Sequence, residues 1–251
     1  MSSPTPHCSQ CATPPSYGTF LMCCLQDATH YIPERRMLGY MLGALGILGA
    51  LTTLVVGGLL YGVAGVTERV IPVLPYVLVS TIAIAGAMWH LKAVRRDLSE
   101  MVAMMVGMTF GMIGGFLAGY LVGATNGMFT GSVFGVLVGC ALGWVAGDCC
   151  AAMARMEGLM AGLMSGVMGA MTAVMLLNDR IAWFTPFLLL VSLAILSGLT
   201  YLIHREHRER QGGVAQIRSS GFTPFLISCF LTSTATVIVM AYGPRSVLFL
   251  S

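Results

Sequence analysis

The chain has 251 residues, of which 57% are hydrophobic and only 9% charged, with a mean hydropathy of +0.84. A soluble domain of this size carries about a quarter of its residues charged, so the composition excludes an ordinary soluble protein and points to a membrane protein. The formal net charge of +3 is spread over short basic clusters between apolar stretches, which excludes a nucleic-acid-binding surface.

The N-terminal MSSPTPHCSQCATPPSYG lacks the basic region and apolar core of a cleavable signal peptide. Seven apolar stretches follow, at 37–65, 73–91, 100–123, 127–147, 152–177, 181–203 and 222–241. Each is long enough to cross a ~30 Å hydrocarbon core as a helix. The expected fold is therefore an all-α polytopic membrane protein with about seven transmembrane helices. A Cys-containing segment (1–36) precedes the membrane domain (37–241), and a short tail (242–251) follows it. Pro72, Pro75, Pro186 and Pro224 fall at or near predicted helix starts, where a missing N–H costs little. Ala124, Thr125 and Asn126 form a tight polar turn between the third and fourth stretches, and Asp148, Cys149 and Cys150 separate the fourth from the fifth.

Orientation follows from the asymmetry of Lys and Arg. With the N-terminus in the cytoplasm, Arg35, Arg36, Lys92, Arg95, Arg96, Arg155, Arg205, Arg208, Arg210 and Arg218 lie inside, and only Arg69, Arg180 and Arg245 lie outside. This places the C-terminus outside. The basic loop around His204–Arg210 is expected to meet anionic headgroups, and His90 is expected at the interface.

The first two and last two helices are rich in Leu, Ile and Val, whereas the middle three are dominated by Gly, Ala and Met. Glycine recurs at every fourth residue from Gly107 to Gly147. A spacing of four slips by about 40° per step around an ideal helix, giving an inclined groove suited to a close GxxxG crossing. The middle helices are thus expected to form a Gly/Met-rich core at the centre of the molecule.

Thirteen of the 19 methionines lie between Met101 and Met175. Met153, Met156, Met160, Met164, Met168, Met171 and Met175 form a nearly straight stripe about 33 Å long on the fifth helix. Gly158, Gly162, Gly166 and Gly169 project from the opposite face. On the third helix Met101, Met104, Met105, Met108 and Met112 share one face, and Gly115, Gly119 and Gly123 are expected to continue it. Two readings stand. Methionine is flexible enough to fill the irregular gaps beside a glycine-rich helix. Alternatively, a ladder of uncharged thioethers suits a soft monovalent ion such as Cu(I), with fast exchange between sites.

MxxxM pairs occur at Met101/Met105, Met104/Met108, Met108/Met112, Met156/Met160, Met160/Met164 and Met164/Met168, with the GxxxG series on the intervening helix. In these motifs the chain resembles the high-affinity copper transporter family, which combines an MxxxM pair on one membrane helix with GxxxG packing on another. The resemblance implies that the methionine pairs are stacked Cu(I) sites.

Six of the eight cysteines fall on the expected cytoplasmic side: Cys8, Cys11, Cys23, Cys24, Cys149 and Cys150. In a reducing compartment these are thiols. Cys8-x-x-Cys11 and Cys23-Cys24, with His7 and His30, are candidates for metal binding or, through the CxxC motif, for thiol redox chemistry; an unremarkable tail is the third reading. Cys149 and Cys150 stand at the inner end of the stripe, two turns beyond Cys140. Thiolates hold Cu(I) more tightly than thioethers, so they are candidate acceptors; small apolar residues at a turn are the plain alternative. Glu157, one turn inside the fifth helix near Arg155 and Asp148, is either an intramembrane functional carboxylate or a simple ion-pair partner.

No GxSxG, HExxH or P-loop pattern occurs, so enzymatic activity is not expected. The leading expectation is a transporter or channel for a soft metal ion such as Cu(I), with the lipid bilayer and that ion as partners. The alternative is a non-transporting scaffold or assembly subunit, homo-oligomeric or bound to another membrane protein, that packs partner helices on its glycine faces. A thiol-redox membrane protein is a third reading.

Overall fold

A computed structural model describes residues 43, 46–52, 67–94, 99–148, 152–177, 181–211 and 222–243. The Cys-containing segment 1–36, Cys149, Cys150 and most of the first predicted helix lie outside the described residues. Six long helices follow in order: α1 (Thr67–Val94), α2 (Glu100–Asn126), α3 (Met128–Gly147), α4 (Ala152–Leu176), α5 (Ile181–Gln211) and α6 (Phe222–Tyr242). Residues 46–52 are helical as well, and no strand occurs among the described residues. Five of these helices, α1 to α5, are long and apolar enough to cross a membrane, and Ile227–Tyr242 of α6 forms a shorter apolar helix.

Local chemistry sets the ends. Ser99 caps α2 by accepting a hydrogen bond from the Val102 N–H, and Glu100 places a carboxylate in the first turn, where the helix dipole favours it. The expected three-residue turn after α2 is corrected to a single residue. The helix runs on through Asn126, and Gly127 alone reverses the chain at φ 99°, a conformation that a residue with a Cβ rarely adopts. Thr125 and Asn126 extend α2 because their side chains are satisfied there. Thr125 Oγ1 donates to Asn126 Oδ1 (2.8 Å), and Asn126 Nδ2 donates to the carbonyls of Val239 (3.1 Å) and Gly243 (3.2 Å) at the end of α6.

Two other boundaries move. α1 begins at Thr67, so Pro72 and Pro75 lie inside the helix rather than at its start. Apolar membrane helices tolerate this because neighbouring helices and local adjustment satisfy the freed carbonyls. α5 continues through His204–Arg210 to Gln211, so the expected basic loop is a helical extension. At 31 residues and 1.5 Å per residue, α5 is about 47 Å long and outruns a ~30 Å hydrocarbon core. His90, expected at the interface, is buried within α1.

α2 is the centre of the molecule. One side packs on α3 and α4 through glycine. The other carries Val106, Phe110, Ile113 and Leu117 into a cluster with Met88 and Leu91 of α1 and Leu196, Leu199 and Ile203 of α5. Near the other end of α2, Tyr120 packs beside Val77, Met240 and Phe184. Its hydroxyl donates to Thr185 Oγ1 (3.0 Å), whose own hydrogen is committed to the Ile181 carbonyl. Leu48, with Leu74, Leu78 and Ile82 of α1 and Cys229 and Val237 of α6, forms a third cluster.

Candidate functional site

The candidate site is built on the α2–α3–α4 unit, whose rigidity comes from the glycine rows. α2 and α4 run parallel and α3 antiparallel, in a register that stacks small residues in successive layers. Gly107 lies with Gly147 and Ala154, Gly115 with Gly139 and Gly162, and Gly119 with Gly135 and Gly166. A Cβ at Gly139 would stand 2.8 Å from the Gly115 Cα and 2.9 Å from the Gly162 Cα; at Gly135 it would stand 2.7 Å from the Gly119 Cα. The backbones are in contact, which is what i, i+4 glycine rows permit in a helix pair. Ser165 adds a polar tie, its buried hydroxyl lying 3.1 Å from both the Gly111 and the Gly162 carbonyl oxygens.

Packing one face of α4 this way turns the other outward. Gly158, Gly162, Gly166 and Gly169 are buried, and they lie opposite the methionines as the spacing predicted. Met153, Met156, Met160, Met164, Met168, Met171 and Met175 are all exposed, from 44% at Met171 to 70% at Met175. Among the described helices α4 packs closely only on α2 and α3, so it stands at the edge of the bundle, although the middle three helices were expected at the centre. Of the fifteen methionines whose side chains are described, twelve are exposed, Met104 is half-buried, and only Met88 and Met240 are buried. Among the described residues, therefore, methionine does not fill gaps beside the glycine helices.

On α2, Met101, Met105, Met108 and Met112 are exposed, whereas Gly115, Gly119 and Gly123 are buried, so the single continuous face expected from the spacing is not formed. The reason lies in the slip of the glycine row. α4 follows Gly107, Gly111, Gly115, Gly119 and Gly123 as they rotate by about 40° per step. By the upper half of α2 it has crossed onto the side that the methionines occupy in the lower half. The glycine faces are engaged with one another, as the GxxxG spacing led one to expect, and are not left open for the partner helices of the scaffold reading.

Asp148, closing α3, pairs with Arg155 on the first turn of α4, and the Arg155 guanidinium lies 5.6 Å from the centre of the Trp144 ring. Glu157 is exposed on the methionine side of α4, so the ion pair near it is made by Asp148 instead. The Cys140 thiol points to the backbone of α4, donating to the Leu159 carbonyl (3.4 Å), and is not part of the methionine face. Among the described residues no group of three or more His, Cys, Asp or Glu side chains is placed to hold a metal ion. Sequence reasoning passed over Ser165 and read Asn126 only as part of a turn; each is a polar residue in an apolar helix or at its end, which is the available signal.

No protein-family model, curated protein or solved structure matches this chain.

Proposed function

We propose that this protein is a seven-span membrane protein, N-terminus cytoplasmic and C-terminus external, that moves a soft monovalent metal ion, Cu(I), along the methionine face of α4. The supporting observation is that seven methionines spaced along one membrane-length helix all face away from the bundle. Lipid contact asks only for apolar surface, which leucine supplies as well, so a face made of sulfur is accounted for by what sulfur does. Thioethers bind soft ions without charge and release them readily. Side chains three or four residues apart on a helix are neighbours, so each MxxxM pair offers two sulfurs to one ion, and the pairs repeat from one side of the bilayer toward the other. Cys149 and Cys150, beside the start of α4, are the proposed thiol acceptors, with Cys8, Cys11, Cys23 and Cys24 available in the same compartment.

The face is on the outside of the described helices, so it becomes a path only when a further segment covers it, and we take that segment from a second copy or a partner. That observation also favours the second reading, an assembly subunit that uses the methionine face for docking without transport. Cu(I) titration of the detergent-purified protein against a chromogenic chelator separates the two. With Cys8, Cys11, Cys23, Cys24, Cys149 and Cys150 replaced by Ser in both proteins, the chain with the full methionine face binds Cu(I) stoichiometrically, and the Met160→Leu/Met164→Leu/Met168→Leu variant loses that binding with its helicity and melting temperature intact. Equal binding by both proteins overturns the metal reading and leaves the assembly reading.

A further inference from the structure

A second site lies on the far side of α2 from the methionine face. A cavity of 370 Å³ opens between α1, α2, α3 and α6, within the size range of small-molecule sites. Its walls are mostly apolar, including Met88, Leu117, Leu121 and Phe134. Set into them are hydroxyls from two helices: Ser80 and Thr81 on α1, and Ser228, Thr232 and Thr236 on α6. Exposed lining residues such as Ala141 and Ala235 leave it accessible from the bilayer.

The hydrogen bonds of these hydroxyls determine what can bind. Ser80 Oγ donates to the Val77 carbonyl (2.9 Å), and Thr81 Oγ1 to the Val77 (2.9 Å) and Leu78 (3.0 Å) carbonyls. Thr232 Oγ1 donates to Ser228 (2.9 Å) and Cys229 (3.1 Å), and Thr236 Oγ1 to Thr232 (2.8 Å). Four hydroxyl hydrogens are thus spent on their own helices, while each oxygen keeps acceptor capacity. The cavity presents hydrogen-bond acceptors in an apolar wall. A molecule with an apolar body and a hydroxyl donor gains both kinds of contact with these four groups; the Ser228 hydroxyl and the Trp89 indole N–H are the other polar hydrogens of the lining.

We propose that this cavity binds a membrane-soluble, hydroxyl-bearing apolar molecule of the hydroquinone class, with its hydroxyls donating to Thr81 and Thr236. Binding is independent of the methionine face.

Trp89 lines the cavity and serves as the reporter. In the full chain carrying Trp144→Phe and Trp183→Phe, reconstituted in lipid nanodiscs, decyl-hydroquinone quenches the remaining tryptophan saturably. Its dimethyl ether, which has no donor, binds a few-fold to about ten-fold more weakly, corresponding to the loss of about one hydrogen bond. Thr81→Val/Thr236→Val, nearly unchanged in shape, weakens hydroquinone binding to the same extent and leaves ether binding alone. Ala118→Phe and Ala235→Phe, from two different helices, each fill the cavity and abolish saturation, with helicity by circular dichroism confirming the fold. Equal binding of hydroquinone and ether, or quenching that never saturates in the parent protein, overturns the proposal.

Discussion

At the scale of single residues, the glycines of the middle helices divide from the rest by what a methyl group would strike. At Gly139 a Cβ meets two backbones below 3 Å, and backbone in a three-helix stack cannot step aside one residue at a time. Gly139→Ala is therefore expected to destabilise the protein by about 1–3 kcal/mol, the usual range for overpacking, and Gly139→Ile by more. Gly198 on α5, with nothing within 4 Å of its Cβ position, is the control. There alanine should be neutral or stabilising by up to about 1 kcal/mol, since it restricts the unfolded chain. Melting in detergent checks both; equal effects at the two sites would refute the contact between backbones. Asn126 supports a second prediction. It is buried, accepts one hydrogen bond and donates two to the end of α6. Asn126→Leu removes the donor to the Gly243 carbonyl and leaves the Val239 carbonyl with only its bond from the Gly243 N–H, with an expected loss of about 1–3 kcal/mol. Hydrogen exchange should rise first at 239–243, and protection there equal to wild type would refute the latch.

At the scale of helices, angular arithmetic made much of the arrangement legible before any coordinates. α4 has its glycines buried and its methionines on the opposite face because both rows are nearly straight on that helix. The same arithmetic failed on α2, since a row inclined by about 40° per step leads its neighbour around the helix. A residue's angle then does not fix its burial without its height. The start of α2 was legible from where its apolar stretch begins, at residue 100, and its end was illegible because Val239 and Gly243 extend the helix through Asn126. No spacing rule separates a methionine stripe turned inward from one turned outward; that depends on which face the glycines claim. The exposed stripe makes its own prediction for stability. Met160→Leu, Met164→Leu and Met168→Leu should each change stability by no more than about 0.5 kcal/mol, as for surface substitutions, whereas Met240→Ala at a buried position of α6 should cost about 2–5 kcal/mol. A large loss at Met164 would mean that the face is covered in the purified protein.

At the scale of the whole molecule, the packing of α2, α3 and α4 governs how transport would have to occur. Between these helices the layers leave no room even for a methyl group, so no ion crosses there. Among the described residues the thioether ladder lies on the periphery, one wall of a path whose facing wall they do not supply. A bare ion on that wall would face hydrocarbon, where an unshielded charge is strongly unfavourable. Conduction along α4 therefore requires a second helix, and its dependence on protein density reports where that helix comes from. In liposomes carrying the purified chain, Ag(I) flux per protein should rise with the protein-to-lipid ratio if two copies supply the two walls. It should collapse at dilutions that leave one chain per vesicle. Flux per protein that is constant down to single chains would place the path inside one molecule, contrary to the closed glycine layers. Absence of flux at every density, with Cu(I) binding retained, would make the face a metal-binding or docking surface and not a route. The Met160→Leu/Met164→Leu/Met168→Leu variant belongs in the same series, because leucine keeps the apolar contact between copies while removing sulfur. If density drives association through that face, the variant still associates and conducts nothing, which separates the role of the methionines in assembly from their role toward the ion.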